Sequence, residues 1–450
     1  MYFFKKATAG LALSLLILSP NVSVIHAESM DNISLQTNEE GFVDPLTSVL
    51  STEEIIQIAD MHINGYLQDD WQTKGLSITP STNQIPLYDL EQNIIAYMVP
   101  LLSNKQEIGY ISIGALRDSY DAYDIFIDDS VVQSIRNQLS PSLSIASFDK
   151  DSSSKLVFVP PMTYMIQTGQ HQEEQYLQLE DDFESVKDVT EAVMEQKEQL
   201  EQQYQELQTE QNKQRMQRIL NETTAEKSFM VAAVTKEDYA LTVEASQGRF
   251  VPVETSAGIY SYGGNQGWWS ATAPTKNTRG CAPVAAANIT NYLAKITNPS
   301  AYRNLYSGTT TSKTDFLAHM NLMYNYISPG PFGETSVQHF TSMVEKYAKD
   351  KNVILTGVTD NSTFTLDNTA AYIKKGLGLN SPVATLNLSK FNDYEYEWHW
   401  MTITKYYRDV NDNRWIAVST WGERRSINYR THFNEITRFK SLGGGFMYFK

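Results

Sequence analysis

Residues 280–293 of this 450-residue chain have the sequence GCAPVAAANITNYL, and they predict the helix around which the fold is built. Pro283 suits the first helical turn, where a backbone N–H has no helical partner. The apolar residues that follow recur at the spacing of a single helical face. They are Ala285, Ile289, Tyr292, Leu293 and Ile296. The pattern therefore predicts a helix with one apolar face that begins near Cys281.

Cys281 is the only cysteine in the chain. At a helix start, free N–H groups and the positive end of the helix dipole face the sulfur. Both effects are expected to lower the thiol pKa, and the thiolate is the nucleophilic form. Gly280, directly before it, permits close backbone approach. We therefore expect a nucleophile, with a cysteine that simply packs in the core as the alternative.

The first residues predict a secretory signal at 1–27. Lys5 and Lys6 precede an apolar run at 7–19, and Ala27 is a small residue at a suitable cleavage point. The run is too short to span a bilayer, so we expect cleavage, secretion and no transmembrane segment in the mature protein. One cysteine cannot form a disulfide within the chain, which in an oxidising compartment suggests a reactive thiol or an intermolecular link.

Charge divides the chain into two unlike parts. Residues 1–230 have a net charge of −21, and residues 231–450 have a net charge of +5. Neither part has a concentrated basic patch, which argues against nucleic acid as a partner. The opposite signs instead predict that the two parts dock on each other within one molecule.

The organisation before the cysteine helix is predicted in two segments. Residues 28–175 are expected to form a small α+β pro-domain, because a capping box at Ser51 and Glu54 opens a helix that is followed by a hairpin. Residues 176–247 are expected to form one long charged helix and a linker. That helix would bury a seam of residues repeating every seven positions. The seam comprises Val186, Val193, Leu200 and Leu207.

Residues 248–450 are expected to form a separate α+β domain, because a leading helix is followed by a terminal set of antiparallel strands. Helices are predicted at about 313–327 and 335–349. Five strand-like segments follow: SPVATLNL, EWHWMTITKYY, NRWIAVSTWG, RRSINYR and GGGFMYFK.

A nucleophilic cysteine needs a base, and His399 has the best context. It opens a predicted strand between Trp398 and Trp400, which would exclude water and hold the ring. Three further histidines remain possible on residue count alone: His319, His339 and His432.

A Gly-Cys helix start, a later His-led strand and a strand that ends in Trp-Gly together resemble the papain-like cysteine peptidases. The alanine-rich helix is most similar to the bacteriocin leader-processing peptidase-like subgroup. The resemblance covers about residues 250–450. It implies a papain-like α+β fold in which the helix bearing the cysteine packs on an antiparallel sheet that bears the histidine, with a cleft between them. It also implies that Cys281 is the nucleophile and His399 the general acid and base. The strand pair before the long helix resembles pro-regions of secreted bacterial cysteine peptidases.

The remaining site residues are implied by the same resemblance. The residue that orients the histidine falls on Ser419 or Thr420, and we expect Ser419. Asp409 and Asp412 would replace it only if their turn folds back. Trp421 would shield the catalytic pair.

The resemblance also calls for an oxyanion donor, which is Gln266 or Asn277, and we expect Gln266. Gly280, Asn277 and Trp421 are expected at the substrate-binding surface.

The expected function is a secreted cysteine peptidase that acts on a peptide or protein and is folded or held in check by its acidic amino-terminal half. That half could instead be an independent binding module. A cell-wall amidase or acyl transferase would use the same site, and a non-catalytic surface-binding protein is the more distant alternative. No metal or nucleotide motif is present, so no cofactor is expected.

Overall fold

The helix predicted from residues 280–293 runs over Cys281–Tyr292 in the computed structural model, with Cys281 as its first residue. Every residue of this helix is buried. It is surrounded by the largest apolar cluster of the chain's described part. The rest of the carboxy-terminal half is arranged around it.

The structure describes residues 49–140, 154–169, 174–180, 183–224, 234–330, 334–359, 362–387, 399–439 and 445–450. These residues belong to one compact unit. The predicted signal peptide and Trp398 lie outside the described residues. Below, the amino-terminal half means the described residues up to 224, and the carboxy-terminal half means those from 234.

The amino-terminal half begins with the predicted helix α1, Thr52–His62. Its capping box is confirmed, since the Glu54 N–H donates to Ser51 Oγ and the Ser51 N–H donates to Glu54 Oε2. A π-helical turn, Ile63–Leu67, continues it. The following elements are β1 (Ile78–Pro80), β2 (Ile85–Tyr88), β3 (Ile94–Ser103), β4 (Gln106–Gly114), β5 (Ala122–Phe126), α2 (Val131–Leu139), β6 (Lys155–Val159), β7 (Thr163–Thr168), β8 (Gln175–Leu179) and β9 (Val186–Asp188).

The single long helix predicted after residue 176 is wrong in its extent. The chain instead forms α3, Thr190–Glu206, and α4, Glu210–Thr224. Val186 lies in β9 and is exposed, so it is not part of the seam. The other three seam residues are buried, because α3 packs them against the amino-terminal core.

Part of the expected linker is ordered structure of the carboxy-terminal half. Residues Glu237–Ala240 form β10, which pairs antiparallel with the strand that begins at His399. Thr242–Gln247 form α5. They are followed by the hairpin of β11, Pro252–Ser256, and β12, Ile259–Tyr262.

The remaining elements follow the predicted order. Short helix α6 (Pro274–Arg279) leads into α7 (Cys281–Tyr292), and α8 (Pro299–Tyr302), α9 (Lys313–Ile327), α10 (Val337–Asp350) and α11 (Leu366–Gly378) come next. The five predicted strands are present as β13 (Val383–Asn387), β14 (His399–Arg408), β15 (Arg414–Thr420), β16 (Glu423–Asn428) and β17 (Gly445–Met447), with α12 (Tyr429–Phe439) before the last.

One sheet runs through both halves in the strand order β17-β13-β14-β15-β16-β5-β4-β3-β2-β6-β7-β8-β9. The two halves join where β16 pairs antiparallel with β5, with Ser426 opposite Ile125 and Ile427 opposite Asp124. Helix α7 packs on the β13–β14 part of this sheet. The α+β class is confirmed, and the two halves share a single sheet.

Candidate active site

A narrow cavity between α7 and the sheet brings most of the predicted site residues together. Its lining consists of Gly264, Gln266, Cys281, Val284, Ala285, Asn288, His399, Trp400, Thr402, Ser419, Thr420 and Trp421. Gly280 and Asn277 are not among these lining residues. The cavity offers about 10 Å³ to a water-sized molecule, which is at the lower limit for holding one water.

Cys281 is 7% exposed at the amino end of α7. Burial raises the pKa of its thiol to about 11, although backbone N–H groups of Trp400, Ala282 and Cys281 itself act in the opposite direction. The expected lowering of the thiol pKa is therefore wrong for this conformation, because desolvation of the sulfur outweighs the helix start. The resting sulfur is a protonated thiol at neutral pH.

Gly280 has a packing role. A Cβ atom there would lie 2.3 Å from Trp269 Cζ3 and 2.4 Å from the Lys276 carbonyl oxygen. Trp269 is itself fixed, since its Nε1–H donates to Asn321 Oδ1. The missing side chain lets the turn from α6 pass closely under Trp269, which sets the position at which α7 and Cys281 begin.

His399 opens β14 and is almost fully buried. Its Nε2 lies 2.8 Å from Thr420 Oγ1, and its ring stacks on Trp421 at a centroid distance of 4.2 Å and an interplanar angle of 16°. Burial lowers the pKa of His399 to about 3, and His432 adds to the lowering. The imidazole is therefore neutral at rest and held on one face and one edge.

The hydroxyl that contacts the imidazole belongs to Thr420, so the expectation that Ser419 does so is wrong. Ser419 Oγ donates to the Tyr262 carbonyl oxygen at 2.6 Å and lies 3.4 Å from Asn288 Nδ2. Both residues line the cavity, but their hydroxyl groups have different partners. The Thr420 hydroxyl meets the ring, whereas the Ser419 hydroxyl meets the Tyr262 carbonyl and, on the cysteine helix, Asn288.

A two-residue turn between β15 and β16 fixes Thr420 and Trp421. Thr420 pairs with Glu423. Trp421 and Gly422 between them have φ values of 47° and 83°. Two successive positive φ values define the tight hairpin turn that matches strand twist. Trp421 adopts a left-handed conformation that a bulky residue rarely takes, and this conformation places its ring on His399.

The carboxylates proposed as substitutes are used elsewhere. Asp409 accepts hydrogen bonds from the Asn413 side chain and from backbone N–H groups of its own turn. Asp412 binds Arg408, Arg414 and Arg430. The turn does not fold back to His399. Among the described lining residues of the cavity there is no carboxylate.

Gln266 and Asn277, the two candidate oxyanion donors, are linked to each other. Gln266 lies in a short 3-10 helix, Gln266–Trp269, and its Nε2 donates to the Asn277 carbonyl oxygen at 2.9 Å. Gln266 lines the cavity and Asn277 does not. This arrangement favours Gln266, with the backbone of Asn277 holding its amide in place.

The other three candidate histidines have different partners. Thr290 Oγ1 lies 2.7 Å from His319 Nε2, and the Ile327 carbonyl lies 2.7 Å from His339 Nε2. His432, on α12, bonds through Nε2 to Thr385 Oγ1 and is fully buried. None of the three lines the cavity with Cys281.

Asn288 is a site residue that sequence reasoning missed. Its Oδ1 accepts the Gly264 N–H at 2.8 Å, and so ties α7 to the chain segment that leads to Gln266. Asn288 could have been recognised from the sequence as a polar residue two turns after Cys281, in a helix whose other residues are mostly apolar.

A comparison with protein-family models and with curated protein sequences found no match for this chain. Over the described ranges, no helix is long and apolar enough to cross a membrane.

Proposed function

We propose that this protein is a secreted papain-like cysteine peptidase, with Cys281 as nucleophile and His399 as general acid and base. The observation that supports it is the shared cavity of a thiol at a helix start and an imidazole held by Thr420 and Trp421. This is the arrangement that nucleophilic thiol catalysis requires, a nucleophile, a base and a group that orients the base.

The contact with Thr420 supports one assignment of the two ring nitrogens. In the tautomer that carries its proton on Nε2, the ring donates to Thr420 Oγ1, which leaves the Nδ1 lone pair for the thiol. Nδ1 takes the proton as Sγ attacks the amide carbonyl carbon. The oxyanion that forms would accept from the Cys281 N–H and from Gln266.

The later steps return the site to its starting state. Nδ1–H gives its proton to the leaving amine as the C–N bond breaks, and a thioester remains on Cys281. Water then attacks the thioester while His399 takes a proton from it. The acid product departs, and the thiol and the neutral imidazole are restored.

The proposal predicts a neutral resting pair. The thiol pKa is raised, the imidazole pKa is lowered, and Thr420 supplies no negative charge that would stabilise an imidazolium. Proton transfer therefore accompanies attack on the substrate.

A mixture of peptidyl vinyl sulfones tests the proposal, because these probes add to a thiol that a neighbouring imidazole activates. Intact-mass analysis of the full chain is expected to show one adduct on the wild type, none on Cys281→Ala, and much slower addition to His399→Gln. Equal addition to the wild type and His399→Gln would contradict the assignment of the base.

A non-catalytic binding protein on the same fold is the second candidate. The small cavity volume and the neutral Thr420 favour it. Absence of any vinyl sulfone adduct on the wild type would support this candidate. If an adduct forms, incubation with a peptide library and with purified cell wall separates a peptidase from an amidase or transferase.

The amino-terminal half is proposed to assist folding of the site. All described residues that line the cavity lie between 264 and 421, so none comes from the amino-terminal half. Direct blocking of the cavity by that half has no support among the described residues.

A further inference from the structure

The amino-terminal half reaches the carboxy-terminal half through buried ion pairs on β16. Arg424 Nη2 lies 2.7 Å from Asp70 Oδ2, and both side chains are almost fully buried. Arg424 Nη1 donates to Gln72 Oε1 at 2.8 Å. The neighbouring Arg425 bonds to Tyr110 and lies 3.6 Å from Asp124. Acidic residues of one half thus neutralise buried cations of the other.

Within the carboxy-terminal half, Arg424 also binds Glu244. Arg424 donates from Nε and Nη2 to Glu244 Oε1, at 2.9 and 2.6 Å. Tyr262 donates its hydroxyl to Glu244 Oε2 at 2.6 Å. Glu244 is itself buried, so its carboxylate depends on these partners.

Tyr262 connects these contacts to the β15–β16 hairpin, residues 414–428, which is called the catalytic hairpin below because it holds His399. Its carbonyl oxygen accepts from Ser419 Oγ, and its N–H donates to the Gly422 carbonyl oxygen at 2.5 Å. Ser419 and Gly422 flank Thr420 and Trp421, the two residues that hold His399. A continuous series of hydrogen bonds therefore runs from Asp70 to the support of the imidazole.

We propose that Asp70 of the amino-terminal half is a positioning residue for the catalytic hairpin and acts through Arg424, Glu244 and Tyr262. This inference rests on the proposed function for the role of His399, but the coupling itself does not require activity. This role of Asp70 requires the amino-terminal half to stay bound to the carboxy-terminal half. The full chain is then the active form of the protein.

Hydrogen exchange of the full chain, read by mass spectrometry, tests the coupling directly. Asp70→Asn keeps the side-chain shape and removes the charge. Exchange at the amides of residues 259–264 and 420–423 is expected to rise roughly 2- to 30-fold, the range typical of coupling through a connected network. Asp70→Glu is expected to restore much of the protection.

Asp124→Asn is the matched control, because Asp124 is also a buried amino-terminal acid beside a β16 arginine. Asp124 is not part of the series of hydrogen bonds that runs from Asp70 to Tyr262. In Asp124→Asn, the amides of residues 259–264 and 420–423 should therefore keep wild-type exchange. Equal exchange in Asp70→Asn and Asp124→Asn, or a uniform rise over the whole chain in Asp70→Asn, would overturn the proposal.

The Gln72→Ala variant and the vinyl sulfone adduct provide two further tests. If Asp70→Asn does not fold, Gln72→Ala removes a milder contact to Arg424 and is expected to raise exchange at the same amides by a smaller factor. No rise in Gln72→Ala would then count against the coupling. The vinyl sulfone adduct reports the proposed function separately, since exchange is measured without substrate.

Discussion

Thr420 Oγ1 lies 2.8 Å from Nε2 of His399 and is the hydrogen-bond partner that β15 provides to the imidazole. A hydroxyl orients the ring without adding charge. This partner from β15 therefore differs from the acidic partner that stabilises an imidazolium in catalytic triads.

Thr420→Val removes this hydroxyl and preserves the side-chain shape. We expect Cys281-dependent turnover to fall about 10- to 100-fold, because a lost hydrogen bond to a group that becomes charged is worth about 1.5–3 kcal/mol. Thr420→Ser should retain most activity. Steady-state kinetics on a peptide cleaved by the wild type measures both, and equal activity of Val and Ser variants would rule out the orienting role.

Alkylation of Cys281 should depend steeply on pH. Because burial raises the thiol pKa to about 11, the thiolate fraction grows with pH throughout the neutral range. The rate with iodoacetamide is expected to rise about tenfold per pH unit from about pH 6 to 9, as expected below a thiol pKa. A rate that is already constant from acid to neutral pH would show a resting thiolate–imidazolium pair instead.

Gln266→Ala should lower kcat by about 10²- to 10³-fold with little change in KM, which is the usual effect of removing an oxyanion donor. Asn277→Ala is the matched comparison, since Asn277 holds Gln266 through its backbone carbonyl and keeps that contact without its side chain. Equal losses in the two variants would reject the assignment of Gln266.

Gly280→Ala should destabilise the fold by about 1–3 kcal/mol, because the added Cβ overlaps Trp269 and the Lys276 carbonyl oxygen. Gly378→Ala, on α11, meets no atom within 4 Å and should be neutral or slightly stabilising. Urea unfolding at neutral pH compares the two, and equal midpoints would contradict the packing role of Gly280.

Acid should destabilise the protein through its buried histidines. Burial lowers the pKa of His432 to about 3, so the unfolded chain binds this proton first and stability falls as pH drops below about 6.5. His432→Gln should reduce the loss of unfolding free energy between pH 7 and 5 by about 2 kcal/mol. An unchanged loss would mean that His432 titrates normally in the folded protein.

Local pattern was sufficient to predict the elements that hold Cys281 and His399. The start of α7 follows from Gly280, Cys281 and Pro283, and β14 follows from its aromatic and β-branched residues. The choice between Ser419 and Thr420 was not accessible, because it depends on the distant Tyr262 carbonyl that binds the Ser419 hydroxyl and on the turn at Trp421. Two adjacent hydroxyl residues are equivalent until that turn is known.

Two other features depend on contacts between distant parts of the chain. The direction of the Cys281 pKa shift was predicted wrongly because burial comes from the sheet packed over α7, which the helix sequence does not show. The pairing of β5 with β16 joins residues about 300 positions apart. Charge complementarity predicted that the halves dock, but it could not predict a shared sheet.

Digestion of a peptide library by the full chain tests most directly the proposal that Cys281 and His399 cleave peptide bonds. Products are identified by mass spectrometry for the wild type, Cys281→Ala and His399→Gln. We expect defined cleavage sites with the wild type and none with either variant. The same products from the wild type and Cys281→Ala, or an intact library with the wild type, would contradict it.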